Sequence, residues 1–429
     1  MTSDIYEKNI DVIKGRWPNI YQSLADVDCS GFEVVEREGL ERTLMVNGIH
    51  LSSCFDRESE AHVQATLLPE TAQSVWLYGV TTGDLQNLLL RRVTVERIEV
   101  VVLSLGLLKL SLDYFDHANW LSDKRVVLSI ATPETDIRSS FCVVPACLRI
   151  VDAETFRLRD LIVLELETEH VNAKVRGNKK FINQIRQNID LVEQDNDVAD
   201  LFGTKNSGMF YIAAAGPTLS ENYQRLISRK KGELLIAVDA AVKPLLANNV
   251  YPDIVVTIDG ERDPVLAMLD VDLQSLSDTP LVYFPIAHRD VLLHWPGPRY
   301  VAYSNSPLYE DLLFKHPKEL LYSSGTVLHV AVDVAVKMGA GKVCLMGADF
   351  SFPNDQTHVS NAVYCQPVEH QVNQEWLVNG SGEQVRTSKN LRGYLCDLER
   401  YITKHKQVEF HNMSRSGAFI VGAKYDDME

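Results

Sequence analysis

The chain lacks a C-x-x-C pair, a bilayer-length apolar run, an excess of basic residues and either of the common phosphate-binding glycine motifs. Each absence removes a class of function. The seven cysteines, Cys29, Cys54, Cys142, Cys147, Cys344, Cys365 and Cys396, are scattered and odd in number, so they read as reduced thiols and not as a zinc or dithiol site. The strongest apolar stretch, Val100 to Leu108, falls short of the ~20 residues a spanning helix needs and reads as a buried strand. Met1-Thr2-Ser3-Asp4 carries no basic region leading into an apolar one, so a cytoplasmic protein without a signal peptide is expected. With 42 Lys and Arg against 58 Asp and Glu, a formal charge of −16, general nucleic-acid binding is excluded, because that affinity comes from neutralising phosphates. A local pocket for one nucleotide is not. No G-x-x-x-x-G-K-[ST] occurs, and Ala213-Ala214-Ala215-Gly216-Pro217 is not G-x-G-x-x-G, so a P-loop and an NAD fold are set aside.

What is present is an ordinary globular balance over 429 residues, 45% hydrophobic and 23% charged, enough for about two to three domains. Ile5 to Leu24 has helical spacing broken at Pro18. Leu44 to Leu51 reads as a hairpin turning at Asn47-Gly48, whose residues accept the positive φ of a tight primed turn. Strands are expected near Ile98–Leu103 and Val126–Ile130, which makes residues 1–170 an amino-terminal α/β domain. Residues 171–205 read as a polar connecting helix. From residue 206, near-continuous apolar strands alternate with helices: 209–214, 234–238, 254–258, 281–284, 300–303 and 342–346. That pattern argues for a parallel sheet covered on both faces, a catalytic domain over 206–360, with residues 361–429 as an extension.

In such sheets ligands bind beyond the carboxyl ends of the strands, and the polar residues of this half gather there. Gly216-Pro217-Thr218 follows one strand, Asp239 and Asp259 end the next two, and Asp349 follows a later one. Ser323-Ser324-Gly325-Thr326 opens a long helix, where unpaired N–H groups suit a phosphate. Taken singly, Thr218, Ser323, Ser324 and each aspartate could equally cap a helix; together at one edge they read as a nucleotide site. His329 and Asp333, four residues apart, suggest a pair on one helix face. His358, in a loop just past Asp349, has the chemistry of a general base. His288-Arg289-Asp290 lacks the Asp-Phe-Gly of a kinase, and Asp270-Val271-Asp272 reads as an exposed turn.

Four segments resemble the motility-associated factors: Phe210 to Leu219, Tyr251 to Gly260, Ser323 to His329, and Gly347-Ala348-Asp349-Phe350-Ser351-Phe352 with Thr357-His358. Ile5 to Ile10, Val385-Arg386-Thr387 with Tyr394, and Asn412 to Gly422 extend the resemblance over most of the chain. These factors are bacterial flagellin glycosyltransferases related to the CMP-sialic-acid-dependent sialyltransferases. The resemblance implies a Rossmann-like, sialyltransferase-type central domain with a carboxyl-terminal helical extension. It also implies a cytoplasmic enzyme that moves pseudaminic or legionaminic acid from a CMP-activated donor to Ser or Thr of flagellin, with inversion, in support of flagellum assembly and motility. No membrane or nucleic-acid partner is implied.

By the same resemblance, Ser323, Ser324 and Gly325 would hold CMP, with Gly216, Pro217, Thr218, Asp239, Asp259, Thr326, His329 and Asp349 lining the donor site. His358 would be the base, with His370 the alternative. Sialyltransferases commonly carry Asn where Ala215 stands, so one nucleotide contact is lost here. No metal is required, though Mg or Mn could bind near Asp239 and Asp259. The archaeal 6-hydroxymethyl-pterin pyrophosphokinases share the Gly-Pro and Pro-Asp…Asp-Gly segments; on that reading Asp239, Asp253 and Asp259 would place Mg²⁺ and ATP. A non-catalytic flagellin-binding protein is the third alternative.

Overall fold

The computed structural model describes residues 4–132, 134–176, 178–205, 207–260, 270–362, 365–368 and 375–425. The chain divides into two compact units, 1–165 and 166–429.

The first unit opens with helices Asp4–Arg16 and Pro18–Ala25, separated as the proline requires. Strands β1 (Val34–Glu38), β2 (Arg42–Val46) and β3 (Ile49–His50) form an antiparallel sheet. The β2–β3 turn is Asn47-Gly48, with φ of 50° and 76°, as the Asn-Gly dipeptide predicts. Strands β4 (Ser74–Tyr78), β5 (Arg97–Val102), β6 (Val126–Ile130) and β7 (Phe141–Val143) make a parallel sheet in the order β6-β5-β4-β7. The expected strand over Val100 to Leu108 is only half a strand. It stops at Val102, and Ser104 caps a helix over Leu105–Tyr114 by accepting from the Leu107 amide at 3.2 Å. Beneath that helix lies a closed polar chain. The Trp120 indole donates to His117 Nδ1 at 2.9 Å, leaving Nε2 to pair with the Ser111 hydroxyl at 2.7 Å, and Ser111 in turn donates to the Thr81 carbonyl. Burial pushes the His117 imidazole down to about 4, so it is neutral and this tautomer is set by its partners.

The second unit is built on nine strands: β8 (Asn196–Asp197), β9 (Gly208–Ala213), β10 (Leu234–Val238), β11 (Ile254–Thr257), β12 (Leu281–Tyr283), β13 (Arg299–Val301), β14 (Ala340–Met346), β17 (Glu409–Asn412) and β18 (Lys424–Tyr425). Between β14 and β17 in the chain, β15 (Glu375–Val378) and β16 (Gln384–Thr387) form a separate antiparallel hairpin. The sheet order is β18-β17-β14-β9-β10-β11-β12-β13-β8, with every neighbouring pair parallel. All four residues of β11 and the last four of β9, β10 and β14 are buried, the burial of a sheet with both faces covered.

The segment read as a connector over 171–205 contributes helices Lys179–Gln187 and Ile189–Gln194 and the edge strand β8. That edge is anchored by Arg299, whose Nε and Nη2 donate to the two oxygens of Asp195 at 2.8 and 2.7 Å. The segment after 360 supplies β17 and β18 to the same sheet and one long helix, Lys389–Lys404. Helix Val327–Met338 is buried almost all round, as its composition demands; Thr326 caps its start and Gly339, at φ 105°, its end. Among the described residues no helix is long and apolar enough to cross a membrane.

Candidate functional site

The chain builds β9 to β13 outward in one direction and then returns through helix Val327–Met338 to lay β14 on the other side of β9. The reversal makes β9 and β14 the switch point of the sheet, the place where open α/β sheets bind their ligands. The loops leaving these strands are 214–218 and 347–351. They are bonded to each other: the Gly216 amide donates to the Gly347 carbonyl at 2.9 Å, and the Thr218 amide donates to Asp349 Oδ2 at 3.0 Å while its hydroxyl donates to Oδ1. A methyl on Gly216 would lie 2.3 Å from the Gly347 carbonyl and 2.5 Å from Asp349 Oδ2, so only glycine permits this approach. Pro217 opens the short 3₁₀ helix Pro217–Asn222, where its missing N–H costs nothing. Asp349 is buried, and desolvation pushes its carboxyl up to about 6 despite the two Thr218 hydrogen bonds, which favour the ionised form. Gly216, Pro217, Thr218 and Asp349 thus meet, as a staple between loops.

One strand along, Asp239 begins the helix Asp239–Ala247 and accepts the Thr257 hydroxyl at 2.7 Å. Burial pushes Asp239 up to about 6, and the nearby charge of Asp259 adds to the rise. Asp259 accepts the His288 amide through its carbonyl at 3.1 Å. These two aspartates stand together at the carboxyl edge; Asp253 does not. It lies at the amino end of β11, accepting the Leu235 amide at 2.8 Å and Arg229 at 3.3 Å. Among the described residues no three of His, Cys, Asp and Glu gather in a way that could hold a metal ion. Asp270 pairs with Lys243 at 3.0 Å and Asp272 caps the short helix 273–276, a solvated turn, while His288 caps the helix Arg289–His294.

The loop 322–326 is held by the helix Lys389–Lys404. The Ser324 hydroxyl donates to Asp397 Oδ2, and the Tyr322 hydroxyl to the Asp397 carbonyl at 3.3 Å. Gly325, at φ 81°, sits where a Cβ would meet the Tyr394 ring at 2.6 Å. The expected His329–Asp333 pair is not what the structure contains. His329 Nε2 instead lies 2.9 Å from the Tyr394 carbonyl, and Asp333 accepts the Tyr401 hydroxyl at 2.6 Å and the Tyr322 amide at 2.8 Å. A backbone carbonyl is the better partner for a neutral ring, and burial pushes His329 down to about 4.

His358 is half-buried, and the next residue, Val359, donates its amide to the Ala215 carbonyl at 2.9 Å, which ties this segment to the start of the loop after β9. The same stretch is latched to β16, where Arg386 Nε donates to Asp355 Oδ1 at 3.0 Å and the Arg386 carbonyl accepts the Phe352 amide at 2.8 Å. His370 lies outside the described residues. The residue that reading the sequence missed is Asp397: it sits 73 positions from Ser324, and no local motif marks it.

Residues 181–355 match the family described as 6-hydroxymethylpterin diphosphokinase MptE-like. No curated protein matches the sequence. Among solved structures, that of the MAf glycosyltransferase from Magnetospirillum magneticum AMB-1 is similar over 99% of this chain and 74% of its own, at 14% identity and a TM-score of 0.46.

Proposed function

We propose that the second unit is a glycosyltransferase that moves a nonulosonic acid, pseudaminic or legionaminic in type, from a CMP-activated donor to Ser or Thr of flagellin. The observation behind this reading is the bonding of the glycine-proline loop to the Asp349 loop at the switch point of the sheet, with Val359, the neighbour of His358, donating its amide to the Ala215 carbonyl. CMP departs from a tertiary anomeric carbon, so the transition state is oxocarbenium-like and charge grows on the phosphate. N–H groups at the start of helix Val327–Met338 would stabilise that charge. His358 would take the proton of the acceptor hydroxyl on the opposite face, which gives inversion by the geometry inverting glycosidases use. A single phosphate leaves, so no metal is needed to balance it; Asp239 and Asp259 are the residues that would hold Mg²⁺ or Mn²⁺.

The family match over 181–355 favours a second reading, transfer of diphosphate from ATP to a pterin. It asks Asp253 to join Asp239 and Asp259, and Asp253 is spent at the opposite end of β11. Calorimetric titration separates the two. Metal-independent binding of CMP, followed by transfer to flagellin, supports the glycosyltransferase; binding of ATP with Mg²⁺ and no binding of CMP replaces it with the kinase.

A further inference from the structure

We infer that the face carrying Trp376, Val378, Phe419 and Val421 is where the acceptor protein docks, through an apolar segment of its own. The inference rests on the transferase reading above and adds how a protein acceptor is held. Strand β15 leaves Trp376 and Val378 exposed while Glu375 and Leu377 are more buried, the period-2 alternation of a strand. Beside it runs the segment 418–421. Asn379 bridges Ala418 in antiparallel register, and the Phe419 amide donates to the Val378 carbonyl at 2.9 Å. Here the alternation is complete: Ala418 and Ile420 are fully buried, while Phe419 and Val421 are 45% and 47% exposed, against 47% for Trp376 and 50% for Val378. Residues two apart share a strand face, and paired residues share it across strands, so this register stands the four on one face. Phe419 is steadied by stacking on Tyr425, ring centroids 5.4 Å apart.

Single exposed apolar side chains are ordinary, whereas a contiguous group marks a contact surface. With about half of each side chain in water, this face presents on the order of 400 Å² of apolar surface. A stable dimer needs roughly 800 Å² from each partner. The face is therefore too small for a second copy of the chain and suits a partner that binds and leaves, as a substrate protein must. Its position selects that partner. A Cβ on Gly417 would lie 2.7 Å from Asp349 Oδ1, and the Ala418 amide is bonded to the Asp349 carbonyl. Phe419 follows one residue later, about 3.8 Å along the chain. A polypeptide whose hydroxyl stands beside Asp349 thus has its flanking residues within reach of the apolar face. The donor, charged and rich in hydroxyls, gains nothing from such a face. An acceptor with aliphatic or aromatic side chains near its serine or threonine does.

The test is calorimetric binding of purified flagellin to the full chain without donor, with CMP titrated in parallel. Trp376→Ala and Phe419→Ala should each weaken flagellin binding about tenfold or more, the loss expected of an aromatic anchor, and leave CMP affinity within about twofold. Val421→Ser, a milder change on the same face, should shift flagellin binding in the same direction by less, and it decides the matter if an aromatic variant fails to melt cooperatively. Val93→Ser, at a valine 97% exposed in the first unit, should change neither. Flagellin affinity unmoved by all three face variants overturns the inference and leaves the transferase reading intact. A wild type that sediments as a dimer, dissociated by Trp376→Ala, also overturns it, because the occupant is then a second copy. Equal loss of CMP and flagellin binding would make the face a support for the site and not a docking surface. A wild type that binds CMP but no flagellin overturns the inference alone; one that binds neither removes the transferase reading, and this inference with it.

Discussion

The Asp349 carboxylate receives both the amide and the hydroxyl of Thr218, 131 positions away in the chain, and so closes two loops into one rim. Its own carbonyl accepts the Ala418 amide at 2.8 Å, which draws a third segment to the same point.

Thr218→Val removes one donor from a buried carboxylate, and a buried group left short of partners costs about 1–3 kcal/mol. Urea unfolding should register a loss in that range, and Thr218→Ser should recover most of it. If Thr218→Val unfolded at the wild-type midpoint, the staple would contribute nothing to stability.

Gly216→Ala forces a methyl against the Gly347 carbonyl and the Asp349 carboxylate, and the strain of such overpacking is about 1–3 kcal/mol. Loss of CMP affinity is expected along with it, since the loops must part. Gly15→Ala is the contrast: nothing lies within 4 Å of its added methyl, and in a helix it should stabilise by about 0.5–1 kcal/mol.

His358→Ala should leave CMP affinity within about twofold and cut transfer to flagellin by about 10²–10⁴-fold, the usual contribution of a general base. Single-turnover assays on saturated enzyme make the distinction. Unchanged turnover would remove His358 from the chemistry.

Two buried groups should bend stability with pH in opposite directions. His117 holds its proton only below about 4 when folded but below about 6.5 when unfolded, so its contribution falls as pH drops through that window. Asp349 runs the other way, keeping a proton up to about 6 when folded against 3.8 unfolded, and its contribution falls as pH rises from 3.8 to 6. Each window is worth on the order of 3 kcal/mol. Proton resonances of the His117 ring should titrate near 4; a midpoint above 6 would show that the imidazole is not desolvated.

Local patterns carried much of the fold. Asn47-Gly48 announced its hairpin because that dipeptide tolerates the required φ, and the apolar runs 234–238 and 126–130 coincide with β10 and β6. Val100–Leu108 misled because a buried strand and a buried helix look alike without periodicity, although Ser104 carried the capping signal. At the candidate site, the sequence placed Thr218, Asp239, Asp259 and Asp349 at the ends of strands, while the bonding of Thr218 to Asp349 and the charge of Asp259 beside Asp239 are seen only in the structure. It could not reach Asp397, because contact between a loop and a helix 73 residues later is decided by tertiary packing and leaves no mark on spacing. The His329–Asp333 expectation failed for the same reason, since both found their partners on the helix Lys389–Lys404.

The position of β17 beside β14 bears on how this chain is made. Until residues 409–412 have emerged from the ribosome, β14, whose last four residues are buried, has one row of amides and carbonyls without a neighbour. An apolar strand with an open flank is a template for pairing with other chains. The second unit therefore passes its most aggregation-prone interval late in synthesis, and a stop introduced between β14 and β17 should yield insoluble protein even though every strand from β8 to β14 has been translated.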